Sequence, residues 1–112
     1  MYDPSVKDKK KVILLSNKYA PKEPSLDSLM VQLTFNFKRP KSHYRTGKYK
    51  DLLKPNAPEY MVSKPDCDNL AKLILDSYNN IFYKDDSQIV QLQIEKKYAE
   101  EDRVDVLISN SI

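Results

Sequence analysis

Leu29-Met30-Val31-Gln32-Leu33-Thr34-Phe35-Asn36-Phe37 is the stretch from which the fold is read. Its odd-numbered positions are large and apolar. A strand sends alternate side chains to opposite faces, so this period of two predicts a strand with Leu29, Val31, Leu33, Phe35 and Phe37 on one buried face. Before it, Asp3 is placed to cap a helix and Pro4 to occupy the first helical position, where its missing N–H costs nothing. That helix is predicted to run to about Tyr19, with Pro21 and Pro24 to stop it.

After the strand, residues 38–64 read as a long loop holding Pro40, Pro55, Pro58 and the chain's only glycine, Gly47. Loops longer than about fifteen residues are uncommon and are usually functional or disordered. A second helix follows, capped by Asp68 or Asn69 and predicted to reach about Asn80. Leu70, Leu73, Ile74 and Tyr78 form its apolar stripe, and Asp68, Lys72 and Asp76, at steps of four, share another face. Val90, Leu92 and Ile94 then alternate with Gln91, Gln93 and Glu95, and Val104, Val106 and Ile108 alternate with Asp105 and Leu107. A charged connection from Tyr98 to Asp102 predicts that these two strands form an antiparallel hairpin. The order helix, strand, helix, strand, strand predicts an α+β domain: a small mixed or antiparallel sheet with two helices packed on it.

The chain has 112 residues, room for one domain over 1–112 with a modest core. Its net charge of +3 is mildly basic and says little until its distribution is considered. Cys67 is the only cysteine, so no intramolecular disulfide is possible, and a small buried filler is its expected role. The longest apolar runs, such as Val12 to Leu15, are too short to cross a bilayer, and no signal peptide is apparent. A soluble intracellular protein with no membrane partner is expected.

Two charge groupings stand out. The first is acidic. Asp66 and Asp68 flank Cys67, and in extended backbone both carboxylates can reach one point. Asp85 and Asp86 lie beyond the second helix and join them only if the chain folds back beside the helix start. Two carboxylates about 4 Å apart repel by roughly 4 kcal/mol at an effective dielectric of 20, against a total stability of only ~5–15 kcal/mol. A divalent cation would offset that repulsion, and oxygen ligands alone suit Mg²⁺ or Mn²⁺ rather than Zn²⁺. Lys72, one helical turn after Asp68, could face a phosphate. The bland alternative is that Asp68 is a helix cap and Asp85–Asp86 a turn.

The second grouping is basic. Lys38, Arg39, Lys41, Arg45, Lys48, Lys50 and Lys54 crowd the first part of the loop, with Asp51 the lone acid and Tyr44 and Tyr49 between them. Such cations bind phosphates by counterion release, and tyrosines can stack on exposed bases. His43, the only histidine, reads as a surface residue rather than a metal ligand; it and Lys64 join the candidate DNA-binding residues. The alternative is a solvated loop that keeps the protein soluble.

The stretch from Lys64 through Pro65, Asp66, Cys67, Asp68, Asn69, Leu70, Ala71 and Lys72 to Asp76, followed by Asp85-Asp86-Ser87-Gln88-Ile89-Val90 and a lysine such as Lys96, closely resembles the RusA family of Holliday junction resolvases. Tyr2-Asp3-Pro4-Ser5, Arg39 to Tyr44 and Ala57-Pro58 match it too, so the resemblance spans most of the chain. It implies a homodimeric, Mg²⁺-dependent endonuclease (Mn²⁺ substituting) that nicks four-way and branched DNA in recombination and repair. A cytoplasmic, nucleoid-associated site follows for a bacterial or phage protein. By position, Asp66, Asp68 and Asp86 resemble the family's metal-site residues and Lys72 its catalytic lysine; Asn69, Asp76 and Asp85 match motif positions of supporting character. Family members usually begin with a further strand, which is expected to be missing here, since Met1 abuts the Tyr-Asp-Pro-Ser region. The rival readings are a catalytically impaired or truncated junction-binding module, and a metal-binding fold with no DNA role.

Overall fold

The computed structural model of the chain describes residues 9–110. Two helices, α1 (Lys9–Ser16) and α2 (Cys67–Ser77), accompany three strands, β1 (Leu29–Lys38), β2 (Ile89–Ala99) and β3 (Arg103–Asn110). The fold is a small α+β unit, as the element order predicts. The cap at Asp3 and the proline at Pro4 lie outside the described residues. Within them α1 ends at Ser16, and a 3-10 turn over Asn17–Tyr19 carries the chain to the prolines.

β1 occupies the middle of the sheet, in the order β2-β1-β3, parallel to β2 and antiparallel to β3. The predicted β2–β3 hairpin is therefore wrong: the two strands are consecutive but do not pair. The reason lies in β1. Leu29, Val31, Leu33 and Phe35 are each 1 or 2% exposed, the most continuously apolar face available, and burial is greatest at the centre of a sheet. The link from Ala99 to Arg103 needs only to cross two strand spacings, roughly 9.6 Å, and four residue steps reach roughly 13 Å. It passes over the end of β1, where the Lys38 amide donates to Asp102 Oδ1 (2.8 Å) and the Arg39 amide to the Ala99 carbonyl (3.0 Å).

The inner face of the sheet follows the alternation, with one slip. Val31 stands opposite Leu92 and Ile108, and Leu33 opposite Ile94 and Val106. A bulge between Leu29 and Met30 displaces Val90, which is 62% exposed instead of inward, and Ile89 takes the place beside Leu29. On α2 the predicted stripe packs down: Leu70, Ile74 and Tyr78 are buried, Leu73 is partly buried, and Ala71 joins them. α2 is shorter than predicted at its far end. It stops at Ser77, and Asn80 adopts a left-handed backbone (φ 66°) whose amide donates to the Tyr83 carbonyl (2.6 Å). The chain then folds back, pairing Tyr83 with Ser25, before it enters β2.

Candidate active site

The lead-in to α2 is held against the outer edge of β2. Residues 59 and 60 run along the outer edge of β2: the Tyr98 amide donates to the Glu59 carbonyl (2.9 Å), and Tyr60 bridges Lys97 in antiparallel fashion. Lys96, one residue before this bridge, sends its ammonium to the carbonyl oxygens of Ser63 (2.7 Å) and Pro65 (2.8 Å). Asp66 follows in extended backbone at the N-cap position of α2, so the cap falls before both predicted residues, and the Asp66 carboxylate makes no capping bond. It meets Lys64 Nζ instead (3.1 Å), with both side chains substantially exposed, a pair worth about 0–1 kcal/mol. Asp68 lies in the first turn, where the helix dipole favours an anion; it is exposed, and its Oδ1 accepts only the Asn69 amide (3.0 Å). Lys72, one turn on, is exposed and forms no hydrogen bond or ion pair among the described residues. Asp76 is drawn off the motif by Lys9 of α1 (3.7 Å).

Asp85 and Asp86 stand at the other end. Asp85 caps a 3-10 turn over Asp86–Gln88: its carboxylate accepts the Ser87 amide (3.0 Å), and Gln88 Oε1 accepts the Asp85 amide (2.9 Å). The Ser87 bonds hold the Asp85 carboxyl below its ordinary value. Gln88 also ties this turn to the carbonyls of Ser25 and Asp27 (2.9 Å each). Next to it, Tyr83 is fully buried and donates its hydroxyl to the Leu75 carbonyl (2.7 Å). Burial pushes its phenol far above the ordinary range, and the nearby charges of Asp86, Asp76 and Asp85 push the same way. Asp86 is half-buried, and its charge acts on a phenol anchored at Leu75, in the second half of α2. Leu75 is nine residues past Asp66, roughly 13 Å along a helix. Pro65 docks at Lys96, seven residues into β2, while Gln88 immediately precedes that strand. The return past α2 therefore does not bring Asp86 beside Asp66 and Asp68 in one chain. Among the described residues, no three histidine, cysteine, aspartate or glutamate side chains are grouped so as to hold a metal ion.

Against this geometry the family relation decides the identity of the fold. The family model for endodeoxyribonuclease RusA matches residues 3–109. The chain belongs to the RusA family. It is also similar to the uncharacterized protein YqaN of Bacillus subtilis (strain 168), with 34% identity over 105 residues, which cover 89% of this chain and 70% of that one. No solved structure matches the chain.

In this RusA-family chain the predicted loop is a folded projection. The Arg45 amide donates to Leu52 (2.8 Å), the Lys54 amide to His43 (2.9 Å), and Tyr44 bridges Leu53, with Gly47 turning the tip at φ 68°. Lys38, Lys41, Arg45, Lys48, Lys50 and Lys54 are all exposed on it or at its base. Arg39 and His43 have another job. Arg39 Nη1 donates to the Pro58 carbonyl (2.6 Å), its guanidinium lies over the Tyr98 ring (5.6 Å), and His43 meets that ring edge-on (4.6 Å between centroids). They fasten the projection to the end of β2.

Tyr98 is absent from the expected site, and Lys96 enters it only as a lysine of the family-like motif with no role assigned. Both occupy inner-face positions of β2, opposite Phe35 and Phe37, and the charge of Lys96 at such a position is the signal for it; nothing comparable marks Tyr98. An apolar groove of about 530 Å³ runs between α1 and β3, lined by Leu15, Tyr19, Phe82 and Val106 among others. None of the candidate site residues lines it. An open acidic edge beside a basic projection suits an extended polyanion better than a small enclosed ligand. Among the described residues, no helix is long and apolar enough to cross a membrane.

Proposed function

We propose that this chain is a Mg²⁺-dependent endodeoxyribonuclease, with Mn²⁺ able to substitute, that nicks four-way and branched DNA as a homodimer in recombination and repair. The observation that carries this reading is the family match, which spans both the acidic motif and the basic projection. The geometry adds that Asp68 and Lys72 are exposed one helical turn apart, with little of their charge spent on the fold. The exposed cations of residues 38–54 hold the phosphodiester backbone, and Lys64 extends that surface toward Asp66. Lys72 lies where its ammonium can meet the negative charge that develops on a phosphate during cleavage.

Asp66, Asp68 and Asp86 are the proposed ligands of the ion, with Asn69 and Asp85 in support. Held as they are in one chain, the three do not make a site. The homodimer supplies the remedy in this reading: Asp86 of the partner subunit completes each Asp66–Asp68 pair. A two-fold dimer also presents two equivalent sites to a junction that has two equivalent strands to nick. Asp68→Asn is expected to abolish nicking of a synthetic four-way junction in Mg²⁺, while junction binding persists; unchanged cleavage refutes the assignment.

The separation of the carboxylates favours one second reading, a junction-binding module that does not cut. Gel-shift binding without nicking at any Mg²⁺ or Mn²⁺ concentration selects it. A protein with no DNA role shows no binding for added salt to weaken.

A further inference from the structure

Lys96 breaks the pattern of its strand. It lies on the inner face between Ile94 and Tyr98, directly opposite Phe35, which is 1% exposed. An apolar residue is the local choice at such a position, and departures of this kind concentrate where a protein's function demands them. The ammonium is not paired with a carboxylate. It is spent on two backbone carbonyls, Ser63 and Pro65, which bracket Lys64 and immediately precede Asp66. Carbonyl dipoles are the right partners for a half-buried cation, and ammonium, with three donors, can bridge two of them. Most of residues 61–66 have no helix or strand to hold them: one bridge at Tyr60 precedes them, and α2 begins after them.

We propose that Lys96 is a positioning residue for the acidic motif. It pins the segment from which Asp66 and Asp68 project, and so governs cleavage without touching DNA. This rests on the nuclease reading for its activity arm, but not for its structural arm. A bond to a backbone carbonyl fixes the chain whatever the neighbouring side chain is, so the sequence between Ser63 and Pro65 is free to vary while the path is kept. The carboxylates then arrive at their orientation from a fixed point on β2 rather than from a free loop.

The test compares Lys96→Met, which keeps the length of the side chain and removes its charge, with Lys96→Arg, which keeps the charge and the donors. Three quantities are read on each: kcat for junction nicking in Mg²⁺, junction affinity in the absence of divalent ions, and hydrogen exchange of the amides of residues 63–69. Lys96→Met is expected to lower kcat by about 10- to 100-fold, the usual effect of losing a group that orients site residues. Junction affinity stays at the wild-type value, exchange at 63–69 speeds up while the amides of β1 keep their protection, and Lys96→Arg recovers part of the rate. An unchanged kcat in Lys96→Met overturns the proposal, as does a loss of junction affinity in step with kcat, which would make Lys96 a DNA contact. If the wild-type chain does not cut at all, the nuclease reading fails on its own. Exchange then decides the positioning role: unchanged protection at 63–69 overturns it. If Lys96→Met loses protection throughout β1 as well, Lys96 is a general fold residue, and the proposal is likewise overturned.

Discussion

At the start of α2, Asp68 and Lys72 stand in solvent with their charges little used; past its end, Asp85 and Tyr83 are tied into the fold. Asp68 accepts one bond from its neighbour and Lys72 has no partner among the described residues. Asp85 closes a capping box, and Tyr83 is fully buried on the Leu75 carbonyl. The difference separates charges available for chemistry from polar groups spent on holding the return of the chain. Asp86 is the exception. It sits at the structural end, in a turn capped by its neighbour, yet the family motif marks it for the site.

The largest effect that can break this contrast is on Lys72. Lys72→Met is expected to lower kcat for junction nicking by about 100- to 1,000-fold, the scale of losing one transition-state donor, with the melting temperature unchanged. A stability loss with intact cleavage would place Lys72 among the structural residues instead. Tyr83→Phe probes the opposite end. It removes the bond to the Leu75 carbonyl and is expected to cost about 1 kcal/mol in denaturant unfolding, with nicking retained under folding conditions. A loss of cleavage without a loss of stability would bring Tyr83 into the chemistry.

The smallest effect is a pH dependence. The Ser87 bonds lower the Asp85 carboxyl below its ordinary 3.8, so the folded state binds its proton more weakly than the unfolded state. Its contribution is therefore complete above the unfolded value and fades as pH falls through the folded one. The melting-temperature difference between wild type and Asp85→Ala should be constant near neutrality and shrink below about pH 4. A difference that grows on acidification contradicts the cap.

Much of this was legible in the sequence, for identifiable reasons. Period two gave β1 and the inner face of β3, and the stripe of Leu70, Ile74 and Tyr78 gave α2, because those residues are buried or packed on the core; in β2 only Ile94 of the predicted set packs there, while Val90 and Leu92 are exposed. Pairing was not legible. A short charged link between two strands ordinarily means a hairpin, and only the apolar continuity of β1 explains why it takes the centre. The bulge that turns Val90 outward leaves no local mark. At the site, the motif identified the residues but not their separation, since the return from Tyr78 to Gln88 depends on contacts of Ser25 and Asp27 more than sixty positions away from Gln88 in sequence. The sequence groups Arg39 and His43 with the basic loop as DNA contacts, whereas their immediate partners are Pro58 and Tyr98.

The two ends of α2 serve one reaction only if they meet across two copies of the chain. Mixing inactive Asp68→Asn protein with inactive Asp86→Asn protein, under conditions that exchange subunits, tests this most directly. Each mixed dimer would carry one site with Asp66 and Asp68 from one subunit and Asp86 from the other, all intact, so four-way junction nicking should reappear in Mg²⁺. If both variants are dead alone and the exchanged mixture stays dead, the carboxylates of the two subunits do not share a site, and the account of how this chain assembles its active centre is contradicted.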